Sequence, residues 1–207
     1  MIEDLFNKRV IKKERMCCHS GGANGSDTVW EENCDMRGIK VNAYSYKTKS
    51  HESPNKVEIS DEDYKEGCHE ITRANKVLNR FGIHKYMNLL ARNWAQVKYS
   101  DQVFAVGMII NPGGRDKKGY YNKSKNEIVS GGTGYAVQMA INNEKDVYIY
   151  DINKKKWFRW SYNSLRFVEL KETPKITEEN FAGIGTREIT PDGVRAIRNV
   201  FKATFGE

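Results

Sequence analysis

Three times in this chain a short apolar run ends in a cluster of glycines and is followed by a segment with helical spacing. The clusters are Ser20-Gly21-Gly22-Ala23-Asn24-Gly25-Ser26-Asp27, Ser130-Gly131-Gly132-Thr133-Gly134 and Gly183-Ile184-Gly185-Thr186-Arg187. Glycine lets a backbone turn tightly and come close to a ligand. A strand that turns through glycine into a helix leaves free N–H groups and the positive end of the helix dipole facing outward, where an anion can sit. One such cluster reads as readily as a plain tight turn. Repeated, they point to a phosphate-bearing ligand at the C-terminal edges of a parallel sheet.

The segments between the clusters fit that architecture. Residues 1–14 form a polar lead-in with a short amphipathic turn around Ile2, Leu5 and Phe6. Met16–His19 reads as a buried strand. A helix capped by Ser26 or Asp27 follows to about Met36 and ends at Gly38. Ile39–Tyr46 is the next strand, reached by a parallel crossover. Thr48–Ser60, polar and containing Pro54, reads as loop. Helices are predicted over Asp61–Leu78, capped by Ser60 or Asp61, and over Lys85–Tyr99, where Met87, Leu90, Trp94 and Val97 recur at 3–4 spacing. Val103–Ile110 is a continuous apolar run, as expected of a central parallel strand. Val147–Ile152 is a further strand, and Trp157–Leu170 is a hairpin or an irregular cover. The last unit runs from the strand and turn over Asn180–Arg187 to a helix over Pro191–Phe205, with Thr190 as cap and Pro191 in the first turn.

The expected fold is therefore α/β, a Rossmann-like open parallel sheet with helices on both faces in three layers. Its 207 residues fit a single domain, 1–207. Within it we expect a core over 15–152, a lid loop over 111–129, a peripheral cover over 153–179 and a last strand–helix unit over 180–205. No run approaches the roughly 18 apolar residues of a membrane span, and Met1-Ile2-Glu3-Asp4 does not open a signal peptide. The expectation is a cytoplasmic protein without a membrane partner. Cys17, Cys18, Cys34 and Cys68 form no C-x-x-C pair, which favours reduced core thiols over a metal site built on Cys17, Cys18 and His19. No His pair has ligand spacing, so no metal and no cofactor are expected. The net charge of +7 suits an anionic ligand and keeps a nucleic-acid partner open. Basic residues gather at Lys12-Lys13, Arg115–Lys125 and Lys154–Lys156, near Tyr120, Tyr121, Trp157 and Trp160, although solvated loops carry such runs too.

Taken together, the residues resemble the SLOG superfamily, the Rossmann-like group that includes the LOG phosphoribohydrolases, the DprA/Smf proteins and many small phage proteins. Ser20-Gly21-Gly22-Ala23-x-Gly25-x-Asp27 resembles the group's first loop, S-G-G-A-x-G-A-D. Gly131-Gly132-x-Gly134 resembles its second, and Arg92 precedes Ser100-Asp101 at the spacing of the LOG arginine. The resemblance covers roughly residues 16–150 and the last unit. It departs in two places. LOG enzymes carry P-G-G-x-G-T-x-x-E with a catalytic glutamate, and here that position is Gln138, which cannot ionise. In phage-type relatives a strand ending A-G-I-G-S-R-x-T-P precedes the first loop, whereas here Ala182–Pro191 closes the chain. That order implies a circular permutation, with the last strand lying parallel beside Met16–His19.

On this reading Ser130, Gly131, Gly132, Thr133 and Gly134 hold a phosphate, while Ser20, Gly21, Gly22 and Gly25 hold a ribose or a second phosphate. Asp27 serves as cap or ribose acceptor. Gly185, Thr186 and Arg187 complete the site, and Arg92 and Arg187 offer bidentate charge. Arg92 reads alternatively as half of a surface ion pair, and Arg187 as a structural cap. Tyr120, Tyr121 and Tyr135 are candidate base stackers. Three function classes follow. One is a sensor or sequestering module for a nucleotide or nucleotide-derived small molecule. The second is an N-glycosidic hydrolase or transferase on a nucleoside phosphate, with Arg92, Glu31 and Glu127 as candidate catalytic residues and Asp27 as a further acid/base. The third is a DprA-like single-stranded DNA binder. The resemblance also implies a homo-oligomer.

Overall fold

The computed structural model describes residues 12–48, 51 and 53–206; the lead-in turn expected around Ile2, Leu5 and Phe6 lies outside them. In chain order the elements begin with β1 (Cys17–Ser20), α1 (Ser26–Asp35), β2 (Lys40–Ser45), β3 (Lys56–Glu58), α2 (Asp61–Leu78) and α3 (Met87–Lys98). Next come β4 (Gln102–Gly107), β5 (Ile109–Ile110), β6 (Ile128–Val129), α4 (Thr133–Asn142) and β7 (Asp146–Asp151). The chain closes with β8 (Lys156–Ser161), β9 (Arg166–Glu169), β10 (Asn180–Gly185) and α5 (Pro191–Phe205).

One eight-stranded sheet runs β3-β2-β1-β10-β4-β7-β8-β9. The strands from β3 to β7 are mutually parallel, and β8 and β9 add an antiparallel edge. The last strand, β10, is central: Cys18 lies opposite Phe181, and Phe181 opposite Gln102. The C-terminal unit is therefore part of the sheet, as its sequence implies.

Strand periodicity assigns the two faces. Val103 and Ala105 of β4, Ala182 and Ile184 of β10, and Val147 and Ile149 of β7 face the layer of α2, α3 and α4. Phe104, Val106, Phe181 and Tyr150 face α1 and α5. On that second face Trp30 of α1 is fully buried, with its ring 5.7 Å from Phe104, 6.4 Å from Phe181 and 5.6 Å from Phe201. Gly183 makes the packing possible, because a Cβ there would lie 2.5 Å from Trp30 Cγ. Among the described residues no helix is long and apolar enough to cross a membrane.

Local chemistry explains where the sequence reading holds. Ser60 Oγ accepts from Asp63 N–H at 3.0 Å and starts α2; Thr190 Oγ1 accepts from Gly193 N–H at 3.2 Å and starts α5. Four expectations are corrected. The Thr48–Ser60 stretch contains β3, which completes the parallel edge beside Ala43–Ser45. The run Val103–Ile110 breaks after Gly107, because the Asp151 carboxylate accepts the Ile109 N–H at 2.9 Å and Ile109–Ile110 then pairs antiparallel with β6. Of the two readings of Trp157–Leu170 the hairpin holds, since β8 and β9 pair antiparallel and extend the sheet beyond β7. A 3-10 turn over Ile83–Tyr86 precedes α3, which begins at Met87. The N-cap of α1 is Gly25, not Ser26 or Asp27, because Ser26 Oγ donates to the Thr186 carbonyl at 2.8 Å.

The lid over 111–129 is a folded hairpin. Gly113 N–H donates to the Asn122 carbonyl at 3.0 Å, and Asn122 N–H to Gly114 at 2.9 Å. The buried Asn122 side chain ties its base to the carbonyls of Ile110 and Asn126, each at 2.9 Å.

Candidate functional site

The C-terminal ends of β1, β4 and β10 open into one cleft of about 490 Å³. Its walls are Ala23 and Asp27 from the first glycine cluster, Ser130–Thr133 from the second and Gly185–Arg187 from the third. α3 contributes Leu89, Arg92, Asn93 and Gln96, and the lid contributes Asp116, Lys117 and Lys118. That volume is typical of a small-molecule site.

The loops are tied to one another. Ser26 N–H donates to the Thr186 carbonyl at 3.1 Å, joining the first and third turns. Gly25, at φ +105°, occupies a conformation that side chains rarely adopt, and its Cα packs directly on the Arg187 backbone. Neither α1 nor α4 has a side-chain N-cap, and backbone carbonyls take the N–H groups of Ser26, Gly134 and Tyr135. Gly131, at φ +66°, makes the turn into α4.

Arg92 is the most informative side chain. It is 6% exposed, lines the cleft, and its Nη1 has no hydrogen-bond partner among the described residues. A buried guanidinium nitrogen without an acceptor is costly unless a ligand completes it. Burial pushes its pKa down, Asp27 holds it up, Arg187 pushes it down, and Glu31 holds it up. Gly21 packs so closely that a Cβ there would overlap the Arg92 guanidinium and crowd Asp27 Oδ2.

Asp27 is buried, and its Oδ2 accepts from Ala23 N–H at 3.3 Å. Burial raises its carboxyl from 3.8 to about 6, against the lowering influence of Arg92. The folded protein thus holds this proton across pH 3.8–6 while the unfolded chain releases it. The contribution of Asp27 to stability falls as pH rises through that window and is level above it. We expect Asp27→Asn to gain on the native protein by about 2–3 kcal/mol between pH 4 and pH 7. Urea melts of both proteins at each pH check this, and a constant difference would show that burial does not perturb the group.

Of the residues singled out in the sequence, Asp27, Arg92, Ser130, Gly131, Gly132, Thr133, Gly185, Thr186 and Arg187 meet at the cleft. The others support it or lie elsewhere. Ser20 Oγ donates to Glu31 Oε1 at 2.6 Å, and Ser53 Oγ donates to Glu31 Oε2, so the Glu31 carboxylate braces the first loop from beneath. Gly22 N–H turns inward to Ser20 Oγ at 3.3 Å. Gly134 donates its N–H to the Ser130 and Gly131 carbonyls, and a Cβ there would overlap the Val129 carbonyl. Glu127 is corrected as a cleft acid: its Oε2 accepts from Phe167 N–H at 2.7 Å and holds β9. The tyrosines are corrected as base stackers. Tyr135 is buried and donates to Asn75 Oδ1 at 2.7 Å, Tyr120 donates to the Leu78 carbonyl, and Arg115 lies over Tyr121. None of the three lines the cleft. Gln138 is also absent from it and donates to Asn142 Oδ1 at 2.9 Å.

Arg80 was not legible in the sequence. Its Nη2 donates to the Val129 carbonyl at 2.6 Å and its Nη1 to the Gly131 carbonyl, clamping the second loop from behind. A peptide's C=O and N–H point opposite ways, so this clamp directs the Gly132 N–H away from Arg80. Arg80 lies about fifty positions before the loop, and no local pattern marks it. Among the described residues no cluster of His, Cys, Asp and Glu could hold a metal ion. Compared with known proteins, the chain matches no family model, and neither a curated protein nor a solved structure shows significant similarity to it.

Proposed function

We propose that this protein binds a nucleotide or nucleotide-derived small molecule through its glycine turns, as a sensor or sequestering module of the SLOG type with a permuted chain. The observation that carries this reading is the buried Arg92, its Nη1 unpartnered among the described residues, in the wall of a cleft where three glycine turns and two helix N-termini without side-chain caps converge. A phosphate oxygen supplies the acceptor that this guanidinium lacks, and the helix termini favour the same charge. The absence of a carboxylate at Gln138 supports binding over LOG-type hydrolysis.

A second reading rests on Asp27. A buried carboxyl held near pH 6 beside an arginine is suited to proton transfer at neutral pH, which favours an N-glycosidic hydrolase or transferase. The two readings separate in one experiment. In a thermal-shift screen of nucleoside monophosphates, ligand bound only to the native state raises Tm by mass action. Recovery of the stabilising nucleotide intact supports the module, and release of free base supports the hydrolase. No shift with any nucleotide overturns both and turns attention to single-stranded DNA.

A further inference from the structure

We propose that the cleft holds two anionic groups at once, one on the α4 loop beneath Lys117 and Lys118 and one between Arg92 and Arg187, so that its ligand carries two phosphate groups. This rests on the reading of the cleft as a phosphate site and goes further, to the class of ligand.

The cations that line the cleft fall into two sets on different elements. Lys117 and Lys118 stand at the lid tip. Their place is fixed by Asp116, whose Oδ2 accepts from Ser130 Oγ at 2.9 Å and whose Oδ1 accepts from the N–H groups of Lys118 and Tyr120 at 2.9 and 2.8 Å. The lid lysines are therefore held one or two residues from an atom bonded to the start of the second glycine loop. Because Asp116 already accepts these three hydrogen bonds, it competes weakly for a ligand's own cations. The other set, Arg92 and Arg187, lies where the first and third turns are tied together, and the Arg187 charge weakens the hold of the buried Arg92 on its proton.

The third turn leaves β10 and α4 leads into β7 on the far side of β4, so the turn at Arg187 and the α4 loop stand one to two strand spacings apart, roughly 5–10 Å. A single phosphate at the α4 loop leaves the buried Arg92 Nη1 without an acceptor. A single phosphate at Arg92 leaves the α4 terminus and the lid lysines to solvent. A pyrophosphate or a sugar bisphosphate satisfies both. Among the described residues no aromatic ring lines the cleft, so a base gains little from stacking and the phosphates carry the recognition.

The test is isothermal titration of the full-length protein with AMP, ADP and ribose 1,5-bisphosphate at one pH and ionic strength. At least one of the two-phosphate ligands is expected to bind about tenfold tighter than AMP, with a steeper loss of affinity in salt. A gain with ADP places the anions side by side, and a gain with the bisphosphate alone places them across a sugar. Replacing both lid lysines, Lys117→Ala with Lys118→Ala, is expected to weaken the two-phosphate ligand more than AMP and close the gap. AMP binding as tightly as both others overturns the second anion position and leaves the cleft a nucleotide site. No binding by any of the three overturns the phosphate reading itself.

Discussion

Replacing Arg92 with methionine is expected to weaken nucleoside monophosphate binding by about 10- to 100-fold, the worth of a charge-assisted hydrogen bond in a desolvated site. Methionine is unbranched and fills the space of the arginine stem, so the packing of α3 is retained. What changes is charge. Asp27 loses the cation that holds its carboxyl down and is driven further above 6, so the variant's stability deficit is expected to be smaller at pH 5 than at pH 7.5. Calorimetric titration with AMP measures the first effect and urea melts at the two pH values measure the second. Native-like AMP affinity in Arg92→Met would remove the guanidinium from the binding site and leave its unpartnered nitrogen without a role.

The largest stability loss is expected at Trp30. This ring is fully buried between α1, α5 and the two central strands β10 and β4. Trp30→Ala deletes it where the sheet and two helices leave little room to collapse, at a cost of about 3–5 kcal/mol. For a domain of this size that lowers Tm by about 6–20 °C. Gly183→Ala attacks the same contact from the other side, since its Cβ would stand 2.5–2.8 Å from three Trp30 atoms, and overpacking of this kind costs about 1–3 kcal/mol. The backbone of Gly183 does not require glycine, so its cost arises from the Trp30 side chain, two indole atoms and the Cβ. In the Trp30→Ala background the two indole contacts are gone while the Cβ contact at 2.8 Å stays, so the Gly183→Ala penalty is expected to shrink. A double-mutant cycle by thermal denaturation checks this, and strictly additive losses would refute the packing account.

The same pair of residues shows how far sequence alone reaches. The F-A-G-I-G run was legible as a strand entering a turn, yet nothing local explains why its third residue is glycine. The reason is an indole more than 150 positions earlier. Helix boundaries, by contrast, were legible wherever a side chain near in sequence sets them, as Ser60 and Thr190 do for α2 and α5. They were misjudged at Ser26, whose hydroxyl is taken by a carbonyl 160 positions away. The same holds for the candidate site. Backbone turns and the lid's basic character were visible because glycine and charge act locally. Glu31, Glu127 and Tyr135 were plausible cleft residues until their partners Ser20, Phe167 and Asn75 were in place.

The sequence by itself determined an α/β sheet of strand–glycine–helix units, because periodicity, caps and turn chemistry are properties of neighbouring residues, while the place of the last unit in the sheet followed from the resemblance of its motif order. Only the tertiary structure decided which polar groups face the cleft. A hydrogen bond claims a side chain for structure or leaves it free for a ligand according to what lies across space, and for Arg92 it left one buried nitrogen unclaimed.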